Sequence, residues 1–528
     1  MAKANHYSRY CPGEEHIQIS DAVCLGRRRA NFTKCPGCQF NDDERATRPF
    51  EAEVLSRATP DLVAQRNEVA MISSVFKAYD VRATYPEPLN EEVAWRVGNG
   101  AAQFLRTSMN LGDRSDLEMG KLIVGRDMRK SSPALTRAFC EGVVATGTPV
   151  IDIGMIDTAQ IYFATNHFKC CGGVMVTASH NPANYNGFKI CGPKGKPIGR
   201  DSGLQEVERI ATAIARHKVE IGGRITQQDL SEPYHAFVRG FLREPRKLKI
   251  VVDGSNGMAG RWFPILFGDV KQFDVTTLNM THDGDFKHDP NPLVEANLAE
   301  LKAAVKSRGA DLGACFDGDA DRCIFVDENG ATIPCDLLTA LLARDYLAAK
   351  PGSAVIYDLR SSRIVPETVT ENGGVPKRGR VGHVFMKRMM AEYDGVFGGE
   401  LSGHFYFRDN FYCDSGVLTF VAVVNAMSAH NATLSELIAP FRKYPSSGER
   451  NFKTDDKDAV LRAIQDRYKD AKIDHLDGVT VEYGDWWFNL RASNTEPLLR
   501  LNVEADNEKL LENKLAELTP MLGAPVDH

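Results

Sequence analysis

The chain has 528 residues, 43% of them hydrophobic and 25% charged. At roughly 150 residues per domain this predicts three to four domains, and the balance excludes a mostly disordered chain. Lys plus Arg number 64 against 70 Asp plus Glu, a net charge of -6, which argues against nucleic acid or an anionic membrane as a partner.

The first residues, MAKANHYSRYC, hold no apolar run of the kind a secretory signal needs. Four of the 12 cysteines follow, Cys11, Cys24, Cys35 and Cys38, spaced C-x12-C-x10-C-x2-C in a polar stretch. Residues 1–45 are too hydrophilic to fold on apolar burial alone, and four thiolates suit a tetrahedral structural Zn2+. The Cys35-Pro-Gly-Cys38 knuckle matches half of a zinc ribbon, whereas Cys11 and Cys24 lack the short spacing of the other half. An iron–sulfur cluster, a redox CxxC pair and incidental thiols stay open beside zinc. Most other cysteines, such as Cys140, Cys191 and Cys323, sit in apolar context, so a cytoplasmic, reduced protein is expected.

Residues 46–71 read as a polar helical connector. Beyond them short β-branched runs alternate with longer helical patterns, the signature of α/β layers. Three buried-type strands end in an aspartate, Leu122–Asp127, Leu248–Asp253 and Ala354–Asp358, each followed by a turn and a helix. Recurrence at spacings of 126 and 105 residues predicts three α/β domains built alike, at 72–224, 225–331 and 332–443. The remainder, 444–528, reads as a smaller α+β domain, with a helix near Lys457–Lys469 and strands around Val479–Tyr483, Trp486–Leu490 and Leu498–Ala505. The longest apolar run, Gly416–Met427, has 12 residues; a membrane span needs about 20, so a buried helix is predicted. No P-loop is present, and Gly254–Gly260 is GxxGxxG, so no nucleotide cofactor is indicated.

Four motifs carry chemistry. In Thr177-Ala-Ser-His-Asn-Pro182 a serine sits on a loop at a strand's C-terminal edge, where open α/β sheets place ligands. Ser179 is a candidate nucleophile there, with His180, Asn181 and Lys189 as neighbouring base, donor and cation. In Asp317-Gly-Asp-Ala-Asp-Arg322 three carboxylates alternate on one loop, an oxygen set for magnesium or calcium. An EF-hand competes, because Glu328 falls at its twelfth position, but Arg322 occupies the glycine position and strands flank the loop. In Gly398-Gly-Glu-Leu-Ser-Gly-His404 an acceptor, a hydroxyl and a donor cluster as a polyol requires. In Arg491-Ala-Ser-Asn-Thr-Glu-Pro497 arginine, hydroxyls and turn N–H groups make an anion cradle.

Together with Phe76-Lys-Ala-Tyr-Asp-Val-Arg82, these motifs in this order resemble the α-D-phosphohexomutase family, of the bifunctional phosphomannomutase/phosphoglucomutase type. The resemblance runs from about residue 75 to the C-terminus and leaves out the cysteine-bearing extension. It implies a four-domain fold and a mutase of hexose 1- and 6-phosphates working through a phosphoserine at Ser179 and a hexose 1,6-bisphosphate. Mg2+ would bind Ser179, Asp317, Asp319 and Asp321. Arg82, His180, Lys189 and His383 would serve proton transfer and charge. Arg322, Arg360, Glu400, Ser402 and His404 would read the sugar, and Arg491, Ser493, Asn494 and Thr495 the phosphate not being transferred. Small-molecule sugar phosphates are the expected partners, with hexose 1,6-bisphosphate as activator and no nucleic acid or membrane. Ala83, Ala159 and Arg360 replace the glycine, proline and lysine usual in the family. Leu401 and the run Pro182–Lys189 favour mannose and glucose phosphates; glucosamine phosphate is the alternative, followed by a sugar-phosphate binder without turnover.

Overall fold

The computed structural model describes residues 8–10, 18–20, 23, 24, 27, 60–109, 120–218, 224–493 and 498–526. They fall into two units, one ending at Ala70 and one beginning at Met71. In the first, Ser8–Tyr10 pairs antiparallel with Gln18–Ser20, and Cys24 is buried. Cys11, Cys35, Cys38, Asn494 and Thr495 lie outside the described residues. A helix covers Pro60–Ser74.

Four sheets succeed one another from Met71 onward. The first has the strand order Val81–Thr84, Tyr185–Cys191, Gly172–Val176, Leu122–Arg126, Val150–Met155, Ile225–Gln227. Its last four strands run parallel, while Tyr185–Cys191 runs antiparallel to both neighbours. Ile225–Gln227 carries this sheet past residue 224, where sequence patterning ends the first domain. Two of its three residues are polar, so only its parallel pairing with Val150–Asp152 marks its place.

The second sheet has the order Phe273–Leu278, Leu248–Asp253, Leu312–Phe316, Cys323–Asp327. The third has Val375–Gly379, Ala354–Asp358, Phe397–Gly399, Phe405–Phe407, Cys413–Asp414. In both, three parallel strands are followed by one that turns back. Every residue of Leu312–Phe316 and Ala354–Asp358 is buried, as in strands covered on both faces. The fourth sheet is six-stranded and wholly antiparallel, with Lys457–Arg467 and Glu508–Leu518 as its helices. The fold is three similar α/β domains and a smaller α+β domain.

One apolar core runs through the second and third domains and reaches Ile123, Ile151 and Met175 of the first. The other face of the first sheet buries Val124 and Val174 against Trp95 and Phe139, from helices Glu91–Ser108 and Ser132–Val144. Each such aromatic or aliphatic side chain contributes about 1.5–3 kcal/mol. The predicted buried helix spans Gly416–His430, its first turn capped by Ser415 Oγ accepting from Leu418 N–H. Among the described residues no single helix is long and apolar enough to cross a membrane. The fourth domain closes a separate core around Phe488, Leu490, Leu501 and Leu511.

This topology positions the motifs. In each of the first three sheets a motif is the hairpin that joins a parallel strand to the antiparallel strand after it: residues 177–184, 317–322 and 400–404.

Candidate active site

The 177–184 loop leaves its strand through a tight turn. Ser179 adopts φ +51°, a left-handed conformation that is costly for a residue with a Cβ. Arg129 holds it there from below. Its Nη2 donates to the carbonyls of Ser179 and Asn181 at 2.8 and 2.6 Å, and its Nη1 to those of Pro182 and Tyr185 at 2.5 and 3.1 Å. Nε donates to Asp127 Oδ2 at 3.0 Å, so this buried guanidinium is both neutralised and fully used. Sequence reading marked the strand-ending Asp127 but gave neither it nor Arg129 a role; the Asp-Met-Arg spacing was the available signal.

Ser179 Oγ donates to Asp317 Oδ2 at 2.8 Å, across 138 residues of chain. His180 Nδ1 lies 3.4 Å from the same hydroxyl. Burial, with Arg322, Arg82 and Lys189 nearby, holds the His180 imidazole well below its usual pKa. Arg82 donates to Asn181 Oδ1 at 2.7 Å and to Asp80 Oδ2 at 2.5 Å.

Asp317, Asp319 and Asp321 are buried, with carboxylate oxygens within 4.8 Å of one another. Lys189 Nζ donates to Asp319 Oδ2 at 2.7 Å and Asp321 Oδ2 at 2.6 Å. Burial opposes the Lys189 charge, but Asp319 and Asp321 outweigh it and push the ammonium pKa up. Arg322 Nε lies 3.8 Å from Asp317 Oδ2. Burial, with Asp321 and Asp319 alongside, pushes the Asp317 carboxyl well above the usual range. Asp319 Oδ1 is buried with no hydrogen-bond partner among the described residues. An oxygen-only set with an orphaned carboxylate oxygen fits a hard divalent cation.

Two supports of this loop escaped sequence reading. Thr158 donates its N–H to the Asp319 carbonyl at 3.0 Å and its Oγ1 to Asp319 Oδ2 at 2.6 Å. The Gly254–Gly260 run backs the loop: Met258 N–H donates to the Gly318 carbonyl at 2.9 Å, and a Cβ on Gly257 would lie 2.6 Å from that oxygen.

Backbone pairing of Arg322 with His404 ties the carboxylate loop to the third hairpin. His404 Nε2 lies 3.5 Å from Asp321 Oδ1, and Ser402 Oγ lies 3.0 Å from His404 Nδ1. His383 stacks on His404 with ring centroids 6.1 Å apart, and burial with Lys387 and Lys189 holds its imidazole well below the usual pKa. Glu400 accepts from Gly382 N–H at 2.9 Å and from the Tyr406 hydroxyl.

Arg491 meets the 400–404 hairpin through a relay. Leu401 N–H donates to Asp358 Oδ2 at 2.8 Å, and Asp358 grips Arg360 through Nη2 at 2.7 Å and Nε at 3.2 Å. Arg360 Nη1 and Arg491 Nη2 both reach Glu449 Oε2 at 3.1 Å, and Arg500 Nη1 reaches Oε1 at 3.0 Å. Ser493 N–H donates to the Leu498 carbonyl at 2.8 Å. Ser179, His180, Lys189, Arg82, the three aspartates, Arg322, His404 and His383 thus share one centre, whereas Arg360 and Arg491 meet at Glu449. Glu449 lies on a polar strand and gave no sequence signal.

Family models match the chain in four consecutive pieces. Those for phosphoglucomutase/phosphomannomutase alpha/beta/alpha domains I, II and III cover residues 73–218, 233–330 and 334–444, and that for the C-terminal domain covers 449–520. A protein of Xanthomonas campestris pv. campestris (strain B100) named "Phosphohexose mutases" is 38% identical over 459 residues, covering 86% of this chain and 100% of that one. A phosphomannomutase of Escherichia coli is 38% identical over 458 residues, covering 84% and 97%. A phosphoglucomutase/phosphomannomutase family protein of known structure from Burkholderia thailandensis matches with a TM-score of 0.75 at 31% identity, over 86% of this chain and 99% of that one. With all four domains matched in order, this chain belongs to the phosphoglucomutase/phosphomannomutase family.

Proposed function

We propose that the chain is a phosphohexomutase, an isomerase interconverting 1- and 6-phosphates of mannose and glucose through a phosphorylated Ser179. The observation that carries this reading is the 2.8 Å contact between Ser179 Oγ and Asp317, inside a buried three-carboxylate cluster. Relatives named phosphomannomutase at 38% identity support the choice of mannose phosphate.

Asp317, Asp319 and Asp321, with an oxygen on Ser179, would hold Mg2+, which when bound neutralises charge on the transferring phosphoryl group. Lys189 and Arg322 bring positive charge to the same centre. A sugar hydroxyl attacks phosphorus: its oxygen forms the new P–O bond as the bond to Ser179 Oγ breaks. The hydroxyl proton passes to His180 or His383, whose imidazoles burial keeps neutral, and a proton returns to the departing Ser179 Oγ from His180 Nδ1, 3.4 Å away. Despite burial, Lys189 and Arg82 are kept protonated by neighbouring aspartates and supply charge instead. The sugar then bears phosphates on O1 and O6, turns over, and returns the other phosphoryl group to Ser179. Free hexose 1,6-bisphosphate primes a dephosphorylated serine by the same return step. Glu400, Ser402 and His404 read the sugar hydroxyls; Glu400 has acceptor capacity for them because each carboxylate oxygen carries two lone pairs. Arg360, Arg491 and Ser493, with Asn494 and Thr495, hold the idle phosphate at a fixed distance from Ser179, so that only the ring reverses.

The N-terminal cysteines Cys11, Cys24, Cys35 and Cys38 are proposed as a structural zinc set. A cytoplasmic location is supported by Cys140, Cys191, Cys315, Cys323, Cys335 and Cys413, all buried thiols.

A coupled assay with mannose, glucose and glucosamine 1-phosphates, Mg2+ and a trace of glucose 1,6-bisphosphate tests the reading. Turnover with the first two is expected, and wild-type protein is expected to carry one phosphate by intact mass that Ser179→Ala lacks. No turnover of any hexose 1-phosphate would overturn it. Metal analysis of the same preparation against Cys35→Ser reads the zinc proposal, which fails if zinc content does not change.

A further inference from the structure

Three guanidiniums, those of Arg360, Arg491 and Arg500, converge on the Glu449 carboxylate. They come from both sides of a domain boundary. Arg360 follows a strand of the third domain, whereas Arg491 and Arg500 are paired residues of neighbouring strands in the fourth. Glu449 lies on the next strand, opposite Asn502.

Charges of one sign this close repel strongly where water is scarce. Burial and the neighbouring Arg360 push Arg491 below its ordinary pKa, and Glu449 counters them. Although burial works against its charge, Arg360, Arg491 and Arg500 hold the Glu449 carboxyl down to about 2, so it stays ionised near neutral pH. With Asp358 on Arg360, these hydrogen bonds among the described residues join three guanidiniums to two carboxylates, a local balance of +1. Arg491 is 3% exposed, and its Nε is buried with no hydrogen-bond partner among the described residues. The cluster therefore keeps a donor unspent while Glu449 fills another corner.

We propose that Glu449 is a positioning residue that aligns Arg360 and Arg491 and limits how tightly they hold a sugar's phosphate. The inference rests on the mutase reading, in which that phosphate must be let go before the sugar can reverse. Without the carboxylate the cluster would carry +2 and grip the dianion harder. Affinity added equally to ground and transition states lowers KM without raising kcat, and here it also slows the release that turnover needs.

Glu449→Gln keeps the side-chain volume and removes the charge. Calorimetry with inorganic phosphate and no added metal, where the aspartate cluster repels the anion, is expected to show a Kd lowered by roughly tenfold. In turnover, KM and kcat are expected to fall together, and Glu449→Asp is expected to bring both back toward wild type. Unchanged or weaker phosphate binding in a folded Glu449→Gln protein would overturn the proposal and leave Glu449 a tether between domains. If that variant does not fold, Arg500→Gln gives the opposite reading: weaker phosphate binding supports the proposal and unchanged binding overturns it. Phosphate binding is read without turnover, so an inactive wild-type protein would sink the mutase reading separately.

Discussion

Ser179 meets the 317–322 loop through its main chain, at Gly318, as well as through its hydroxyl, at Asp317. A Cβ on residue 318 would lie 2.4 Å from the Ser179 carbonyl oxygen. Arg129 clamps that same carbonyl at 2.8 Å, so the serine loop cannot yield and the carboxylate loop must move instead. Gly318→Ala is therefore expected to lower kcat/KM by about 100-fold, the usual penalty for a displacement near 1 Å, while costing about 1–3 kcal/mol of stability. Steady-state assays beside urea melts would check this; wild-type kcat/KM would show that the loops need not stay in register. The carboxylates and the Thr-Ala-Ser-His-Asn-Pro loop were legible in the sequence because residue type and local spacing carry their chemistry. Arg129 and Thr158 were not legible, because the carbonyls and carboxylate they serve reach them only through the fold.

At the scale of elements, strand-ending aspartates revealed the repeat, yet the motifs occupy the hairpins, which the local pattern does not relate to one another. Asp358 shows why: it ends its strand and then reaches sideways to Arg360 and the Leu401 N–H. Asp336 serves a helix in a similar way. It stands in the first turn of Cys335–Ala349, accepting Leu337 N–H at 2.9 Å and Ser362 N–H at 3.2 Å. Burial outweighs these bonds and pushes its carboxyl from 3.8 up to about 6. A folded-state value above the unfolded one means that the folded protein binds the proton more tightly. Ionised Asp336 thus costs stability above about pH 6, and the cost fades as pH falls toward 4. Against Asp336→Asn, wild type is expected to gain about 2 kcal/mol between about pH 7.5 and pH 4.5. Urea midpoints at each pH measure it, and a difference that does not change with pH would rule the perturbed carboxyl out.

Across the whole molecule, the first three domains share apolar core, whereas the fourth keeps its own and meets the third through charge. Arg363 Nε lies 3.2 Å from Glu504 Oε1 and its Nη2 2.8 Å from Asp506 Oδ1. Arg378 Nη1 lies 2.6 Å from Glu482 Oε1, and Nη2 contacts Asp474. A cavity of about 340 Å³ opens between these pairs, lined by Tyr357, Arg363, Arg378, Tyr483 and Trp487 among others. An interface of ion pairs whose arginines stay partly exposed around a void gains little from apolar burial and is screened by salt. Replacing both Arg363 and Arg378 by alanine is expected to cost on the order of 1–3 kcal/mol of docking while leaving the fourth domain's core intact. Calorimetric unfolding is expected to split into two transitions in the double variant, and raising salt is expected to move wild type toward the same split by screening the pairs the variant lacks. A sugar phosphate that touches both Arg491 and the Ser179 centre would narrow the gap by mass action, because only the docked form binds it. One unsplit transition in the variant at every salt concentration would mean that packing, and not charge, holds the fourth domain in place.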